Sequence, residues 1–288
     1  MSKTGIILEG GAMRCIFTAG VLDFFLDKKI DIPNVLAISG GAYAGMNYVS
    51  GQKGRIIGSV VKPMTSKQMM GLKNFFLHGE FFNMDLIFNK IPKGEWGDCP
   101  FDFEAFKNSG KRFITSTINC KTGEAVYFDK FKDLDEFCHI LKVANSLPLL
   151  SHIDYIDGIP MMDGGMADAI PIDRAIYEGW DKIIVILTRD ATYRKKAKGD
   201  IYNSRFVKFA YRKQKGLLQS IASRPMFYNS SIEKVIELER AGKAFVIRPE
   251  GIQLANGESD KETLNYYYNV GYETAAKRYD DLMKFLNS

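Results

Sequence analysis

At 288 residues, with 46% apolar and 25% charged residues, the chain can bury a substantial core and is too evenly composed to be disordered. No apolar run approaches the roughly 18 to 20 residues of a membrane-spanning helix, and Glu9 and Arg14 interrupt the early apolar stretch, so a cytoplasmic protein without a signal peptide is expected. Net charge is +5, and the four cysteines, Cys15, Cys99, Cys120 and Cys138, are far apart with no CxxC pairing, which argues against a disulfide framework or a zinc knuckle. One globular domain is the first expectation, with two small ones still open.

In chain order, Gly5 to Leu8 reads as a short buried strand, a Gly-rich turn follows, and Ile16 to Lys29 has helical apolar spacing. Val35 to Ile38 reads as a second buried strand, Ser39-Gly40-Gly41 as a turn, and Ala42 to Val49 as a helix. Arg112 to Ile118 and Ala125 to Phe128 read as strands and Leu134 to Ala144 as a helix. A short strand pair turns at Asp157-Gly158, and Lys182 to Thr188 is a run of Ile, Val and Leu that suits a strand covered on both faces. The alternation indicates an α/β fold with a mainly parallel sheet. Towards the end, Ser231 to Ala241 reads as a helix stopped by Gly242, and Ser259-Asp260-Lys261-Glu262 has capping-box spacing before a helical pattern reaching Leu286.

Two Gly-rich strand-to-helix turns fall within the first 45 residues, each placed so that backbone N–H groups at a helix start can face developing negative charge. Ala37-Ile38-Ser39-Gly40-Gly41 puts a serine among small residues, as a nucleophile elbow requires. Glu9-Gly10-Gly11-Ala12-Met13-Arg14 can supply oxyanion donors, with Arg14 holding the loop or adding positive potential. The chain has three histidines, His78, His139 and His152, and none follows the best acid candidate, Asp163, so the order Ser, Asp, His cannot be completed with it. Asp163, in Met161-Met162-Asp163-Gly164-Gly165, can serve directly as the base.

Each motif alone has a plainer reading. Ser and Gly are ordinary turn residues, Asp-Gly-Gly is a turn signal, and EGGAMR could be a phosphate loop, although it lacks the spacing of the dinucleotide and P-loop motifs. Asp154, Asp157 and Asp168 are expected in solvated turn or capping roles, and His152 is left out of the site.

Taken together and in this order, EGGAMR, AISGG and DGG resemble the patatin-like phospholipases, bacterial members included, over about Gly5 to Thr188. That resemblance implies a three-layer α/β/α fold with a helical C-terminal part over 189–288. It implies a Ser–Asp dyad of Ser39 as nucleophile and Asp163 as general base, and an oxyanion loop at Gly10, Gly11 and Ala12 supported by Arg14. It implies lipid or lysolipid esters as substrates, with no metal or cofactor. Ala144-Asn145-Ser146-Leu147-Pro148 is similar to the family's segment before the aspartate strand. Ala12, Cys15, Ala37 and Gly40 depart from the usual glycine and small-residue pattern. A lipid-binding or regulatory protein of the same fold is the rival reading.

Two further stretches bear on substrate. From Met64 to Phe88 the apolar residues Met64, Met69, Met70, Leu72, Phe75, Phe76, Leu77, Phe81, Phe82, Met84, Leu86, Ile87 and Phe88 suit either a mobile cap over an acyl channel or the packed core of an insertion. Between Arg189 and Lys215 ten Lys/Arg face only Asp190 and Asp200, so this window carries +8 and the remainder −3. Interleaved with Tyr193, Tyr202, Phe206, Phe209 and Tyr211, it suits docking on anionic headgroups, or else a solvated face. Nucleic acid is not expected as a partner, since no nucleic-acid motif accompanies the charge.

Overall fold

The computed structural model describes residues 3–63, 69–71, 74–75, 79–196, 202, 204–251, 254–255 and 257–288. Its first half alternates strand and helix as the apolar runs predict: β1 (Thr4–Leu8), α1 (Cys15–Asp27), β2 (Asn34–Ala37), α2 (Gly40–Val49), α3 (Phe103–Asn108), β3 (Arg112–Asn119), β4 (Ala125–Phe128) and α4 (Leu134–Ala144). Then come the hairpin of β5 (Asp154–Ile156) and β6 (Ile159–Asp163), α5 (Ile172–Tyr177) and β7 (Lys182–Ile186). The last part holds α6 (Arg205–Ala210), α7 (Lys215–Arg240), β8 (Ala244–Ile247), α8 (Lys261–Lys277) and α9 (Tyr279–Asn287).

The eight strands form one sheet in which hydrogen-bonded neighbours run β5-β6-β3-β2-β1-β7-β8, with β4 also on β3. The five strands from β3 through β2, β1 and β7 to β8 are parallel, β4 and β6 run antiparallel to β3, and β5 pairs antiparallel with β6. Register shows how β3 serves three partners. Thr115 pairs with Ala37 and with Phe128, and Ile118 pairs with Ala125 and with Met162. A strand has two edges, so β4 holds one edge of β3 while β2 and β6 share the other, end to end.

Alternate residues of each strand enter opposite cores. Ile6, Leu8, Val35, Ile184 and Ile186 face a core shared with α1, α2 and α8, and Ile7, Leu36, Ile183 and Val185 face one shared with α5 and α7. The sheet is thus sandwiched between helices, a three-layer architecture. The first of these cores extends from Ile6 to Leu282, so the C-terminal helices bury the same sheet face as α1.

Three elements differ from the pattern read in sequence. The helix expected from Ser231 begins at Lys215 and carries Pro225 in its interior. Strand β8 emerges from Ala244 to Ile247, after Gly242, and extends the sheet beyond β7. The cap of α8 is Asp260, whose side chain accepts from Thr263 N–H, rather than Ser259, and the single expected helix to Leu286 breaks at Arg278 into α8 and α9.

Candidate active site

Both Gly-rich turns lie at the C-terminal ends of the adjacent parallel strands β1 and β2, where open α/β sheets place their crevices. Ser39, two residues beyond the end of β2, has φ 54° and ψ −132°, a conformation L side chains rarely adopt, and stands at the N-cap position of α2 without a side-chain capping bond. The turn is tight enough that a Cβ at Gly41 would lie 2.7 Å from the Leu8 carbonyl oxygen, so only glycine fits between it and β1. Asp163 ends β6. Because Ala37 pairs with Thr115 and Asp163 with Thr117, two positions on along the same edge of β3, the ends of β2 and β6 meet.

There the Ser39 hydroxyl donates to Asp163 Oδ2 at 2.5 Å, with both residues buried. Asp163 Oδ1 accepts the Gly165 N–H at 2.7 Å, and its own N–H donates to the Ser146 carbonyl at 2.9 Å, so the segment preceding the hairpin also fixes it. Burial pushes the Asp163 carboxyl up to about 6, opposed by the bonds from Ser39 and Gly165 and by the charges of Arg224 and Lys195.

Ala12 opens the first turn with φ 48°, the left-handed region, where the departure from glycine carries strain. Among the described residues, the N–H groups of Gly10, Gly11, Ala12 and Gly40 meet no protein acceptor, while the Arg14 N–H closes the turn onto the Gly11 carbonyl at 3.1 Å. Arg14 itself is 8% exposed, and its Nε and Nη1 have no hydrogen-bond partner among the described residues, so these atoms do not hold the loop. Burial, and next the charge of Arg189, lowers its pKa.

What holds the loop is Glu9. Its buried carboxylate accepts the Thr188 N–H at 2.5 Å and the Thr188 hydroxyl at 3.0 Å through Oε2, and the Tyr228 hydroxyl at 2.8 Å through Oε1. The first turn is thereby tied to the end of β7 and to α7. Arg224, also on α7, donates from Nε to the Gly165 carbonyl at 2.8 Å, buttressing the turn after Asp163. Neither contact has a local signature in sequence. An acidic residue inside an apolar strand end was the one available signal for Glu9.

The other acids and histidines stand apart. Asp154 pairs with Lys142 at 3.0 Å, and Asp157 occupies the hairpin turn at φ 51°. Asp168 is not solvated as expected: it accepts the Tyr127 hydroxyl at 3.0 Å, and burial pushes it up to about 6. His139 meets the Tyr155 carbonyl at 2.9 Å and His152 is exposed, whereas His78 lies outside the described residues.

Ser39 looks onto two cavities. A narrow apolar crevice of about 80 Å³ is lined by Met13, Ile16, Val60, Phe82, Met84 and Phe88. A cavity of about 840 Å³ on another side is lined by basic residues of the stretch after β7 and of α7. Of the apolar stretch read as cap or insertion core, Met69, Met84, Leu86, Ile87 and Phe88 are buried in the main core, and Phe82, Met84, Ile87 and Phe88 also form crevice wall. Met64, Leu72, Phe76 and Leu77 lie outside the described residues, as do Lys198 and Asp200 of the basic window.

Fold and site together define a three-layer α/β protein with a serine at a strand-to-helix elbow. The chain belongs to the patatin-like phospholipase family, whose model matches residues 6–176, and its fold is the patatin-like one. A second model, a domain of unknown function (DUF6363), matches residues 214–287. The chain is 24% identical over 191 residues to the uncharacterized protein YjjU of Escherichia coli (strain K12), a match covering 65% of this chain and 52% of that relative. The chain therefore spans about half the length of the curated relative it matches. Among solved structures it is similar to VipD from Legionella pneumophila, with a TM-score of 0.54 and 11% identity over 98% of this chain and 67% of that one. Among the described residues, no helix is long and apolar enough to cross a membrane.

Proposed function

We propose that the protein is a serine acyl hydrolase of lipid carboxylic esters, of phospholipase A or lysophospholipase type. Ser39 Oγ attacks the ester carbonyl as its proton passes to Asp163 Oδ2, while N–H groups of the Gly10-Gly11-Ala12 turn receive the oxyanion. Asp163 then returns the proton to the departing alkoxide, the carbon–oxygen bond breaks, and the acyl group remains on Ser39. Water, deprotonated by Asp163, attacks the acyl-enzyme, releasing the fatty acid and restoring the serine hydroxyl. Protein, ester and water supply every proton and electron pair in this sequence, so it calls for no metal or cofactor.

The observation that carries this reading is the 2.5 Å bond between Ser39 Oγ and Asp163 Oδ2 beside unengaged backbone N–H groups. The apolar crevice at Ser39 suits the acyl chain. In the same reading residues 1–288 work as one unit, because α7 and α8 are built into the loop support and core described above.

The rival, a lipid-binding protein that does not hydrolyse, is separated by a fluorophosphonate probe with a parallel assay of fatty-acid release from a lipid extract. Labelling of Ser39 and fatty-acid release that are both lost in Ser39→Ala are expected. A folded protein that binds lipid, takes no label and releases no fatty acid would overturn the hydrolase reading.

A further inference from the structure

The larger cavity at Ser39 is strongly cationic. Among the described residues its wall includes Arg14, Arg189, Arg194, Lys195, Lys196 and Arg224, against two carboxylates, Glu9 and Asp163. Both carboxylates are already engaged, Glu9 by Thr188 and Tyr228 and Asp163 by Ser39 and Gly165. Arg194 is partly neutralised by Glu233 at 2.7 Å. Among the described residues, Arg189 and Arg224 have no carboxylate within ion-pair distance, and Arg14 keeps two buried donors without a partner. Arg189 lies over the Tyr193 ring at 4.4 Å, a stacking that orients its guanidinium, and Arg224 is fixed through Nε to the Gly165 carbonyl.

Arg14 is buried and Arg189 and Arg224 are half-buried, and gathering these like charges beside a nucleophile is costly without an anion among them. The planar fork of arginine matches phosphate oxygens two at a time. The apolar crevice and the cationic cavity share Ala12, Ser39 and Leu147, so a single molecule lying across Ser39 would have its apolar part on one side and its charged part on the other.

We propose that this cavity is a headgroup subsite selecting lipids of net negative headgroup charge, a phosphomonoester or a phosphodiester without a compensating ammonium, through Arg189 and Arg224. The inference rests on the acyl-hydrolase reading and deepens it. A choline or ethanolamine ammonium would meet the same excess of positive charge and be disfavoured. Because Arg224 lies on α7, the segment matched by a domain of unknown function takes part in choosing the substrate.

The test compares dihexanoyl phosphatidylglycerol with dihexanoyl phosphatidylcholine, both kept monomeric below their micellar concentrations so that no charged surface contributes. The expected ratio of kcat/KM favours the anionic lipid by about tenfold or more, carried mainly in KM, and shrinks as salt is raised. Arg189→Glu is expected to bring the ratio near or below one, and Arg189→Lys to restore most of it. Each ratio is taken within one preparation, so a partial folding loss cancels. A wild-type ratio near one, or a ratio unmoved by Arg189→Glu, overturns the proposal.

Inorganic phosphate separates headgroup from free anion. Competition against phosphatidylglycerol supports the subsite, while activation of both lipids would make the cavity an effector site instead. Calorimetry with uncleavable ether-linked analogues keeps the two readings distinct: preferential binding of the anionic analogue without any ester hydrolysis removes the hydrolase reading alone, and hydrolysis without preference removes the headgroup inference alone.

Discussion

Ser39 donates to Asp163 at 2.5 Å across 124 residues of sequence, and β3 is the element that brings them together, since β2 and β6 meet end to end along one of its edges. The acid that accepts this bond is buried and ends up with a carboxyl pushed to about 6. If Asp163 is the base, it must be ionised to accept the Ser39 proton, so kcat/KM on a soluble ester should rise with pH and level off above an apparent pKa near 6. A flat profile from pH 5 to 8, measured with a substrate that does not titrate, contradicts the assignment.

The same shift has a consequence for stability. A carboxyl whose folded-state pKa is raised favours the folded state most where it is protonated, below its unfolded value near 4, and that advantage is lost as pH rises through about 6. At pH 8 the ionised Asp163 therefore costs about 3 kcal/mol relative to a neutral group. Asp163→Asn should raise Tm by a few degrees at pH 8 and leave it unchanged near pH 4, while lowering ester hydrolysis by roughly 10³-fold or more. Thermal unfolding of both proteins at the two pH values, beside a rate assay, reads all three effects.

Which parts of this were legible in the sequence follows from the range of the interactions. Ile6 to Leu8, Val35 to Ala37 and Ile183 to Ile186 announce themselves because a strand buried on both faces is an apolar run, and Ser39 and Asp163 stand in small-residue turns that have local signatures. The bonds from Thr188 and Tyr228 to Glu9 and from Arg224 to Gly165 had no such signature, since each spans 59 or more residues. The first half of α7 was hidden by Pro225 and by polar residues at the start of the helix. Strand β8 was hidden because four residues after Gly242 carry too little pattern, and only pairing with β7 defines them.

Ala12 at φ 48° and Ser39 at φ 54° are held in conformations that cost L residues about 1 to 3 kcal/mol each. Ala12→Gly should therefore stabilise the fold by about 1 kcal/mol net of the chain entropy that glycine adds. Ser39→Gly should likewise be more stable than Ser39→Ala. Chemical denaturation at pH 7 measures both differences, and equal midpoints for the two Ser39 variants would show that the elbow is unstrained.

The C-terminal helices should not be separable from the sheet. Helices α1 and α8 cross so closely that a Cβ at Gly271 would lie 2.1 Å from the Phe17 carbonyl oxygen and one at Gly20 would lie 2.0 Å from that of Tyr268. Tyr268 and Tyr272 seal the crossing by donating to Asp23 and Asp27 at 2.5 and 2.7 Å. Gly271→Val has to push the backbones apart and should destabilise by about 3 kcal/mol or more, in a single unfolding transition that includes the sheet. Two separate transitions in the wild-type protein would argue for two domains.

Beyond the active site, α6 and α7 present large apolar side chains to solvent, with Phe206 and Phe209 each 67% exposed, Met226 63% and Phe227 52%. Exposed Arg205, Lys208, Arg212, Lys213 and Lys215 accompany them in sequence. The exposed bases and aromatic side chains of α6 predict binding to anionic lipid bilayers, the bases supplying attraction and the aromatic side chains shallow insertion. Each basic residue near an anionic surface contributes on the order of 1 kcal/mol, an attraction confined to about a Debye length, so vesicle binding should weaken steeply between low and high salt. Insertion is not screened in that way. Phe206→Ala with Phe209→Ala should therefore weaken binding by a similar factor at every salt concentration, and Lys208→Glu with Arg212→Glu should remove most of the salt dependence. Sedimentation with vesicles that contain or lack anionic lipid separates the two contributions, and binding indifferent to both salt and these substitutions would leave α6 as an ordinary solvated helix.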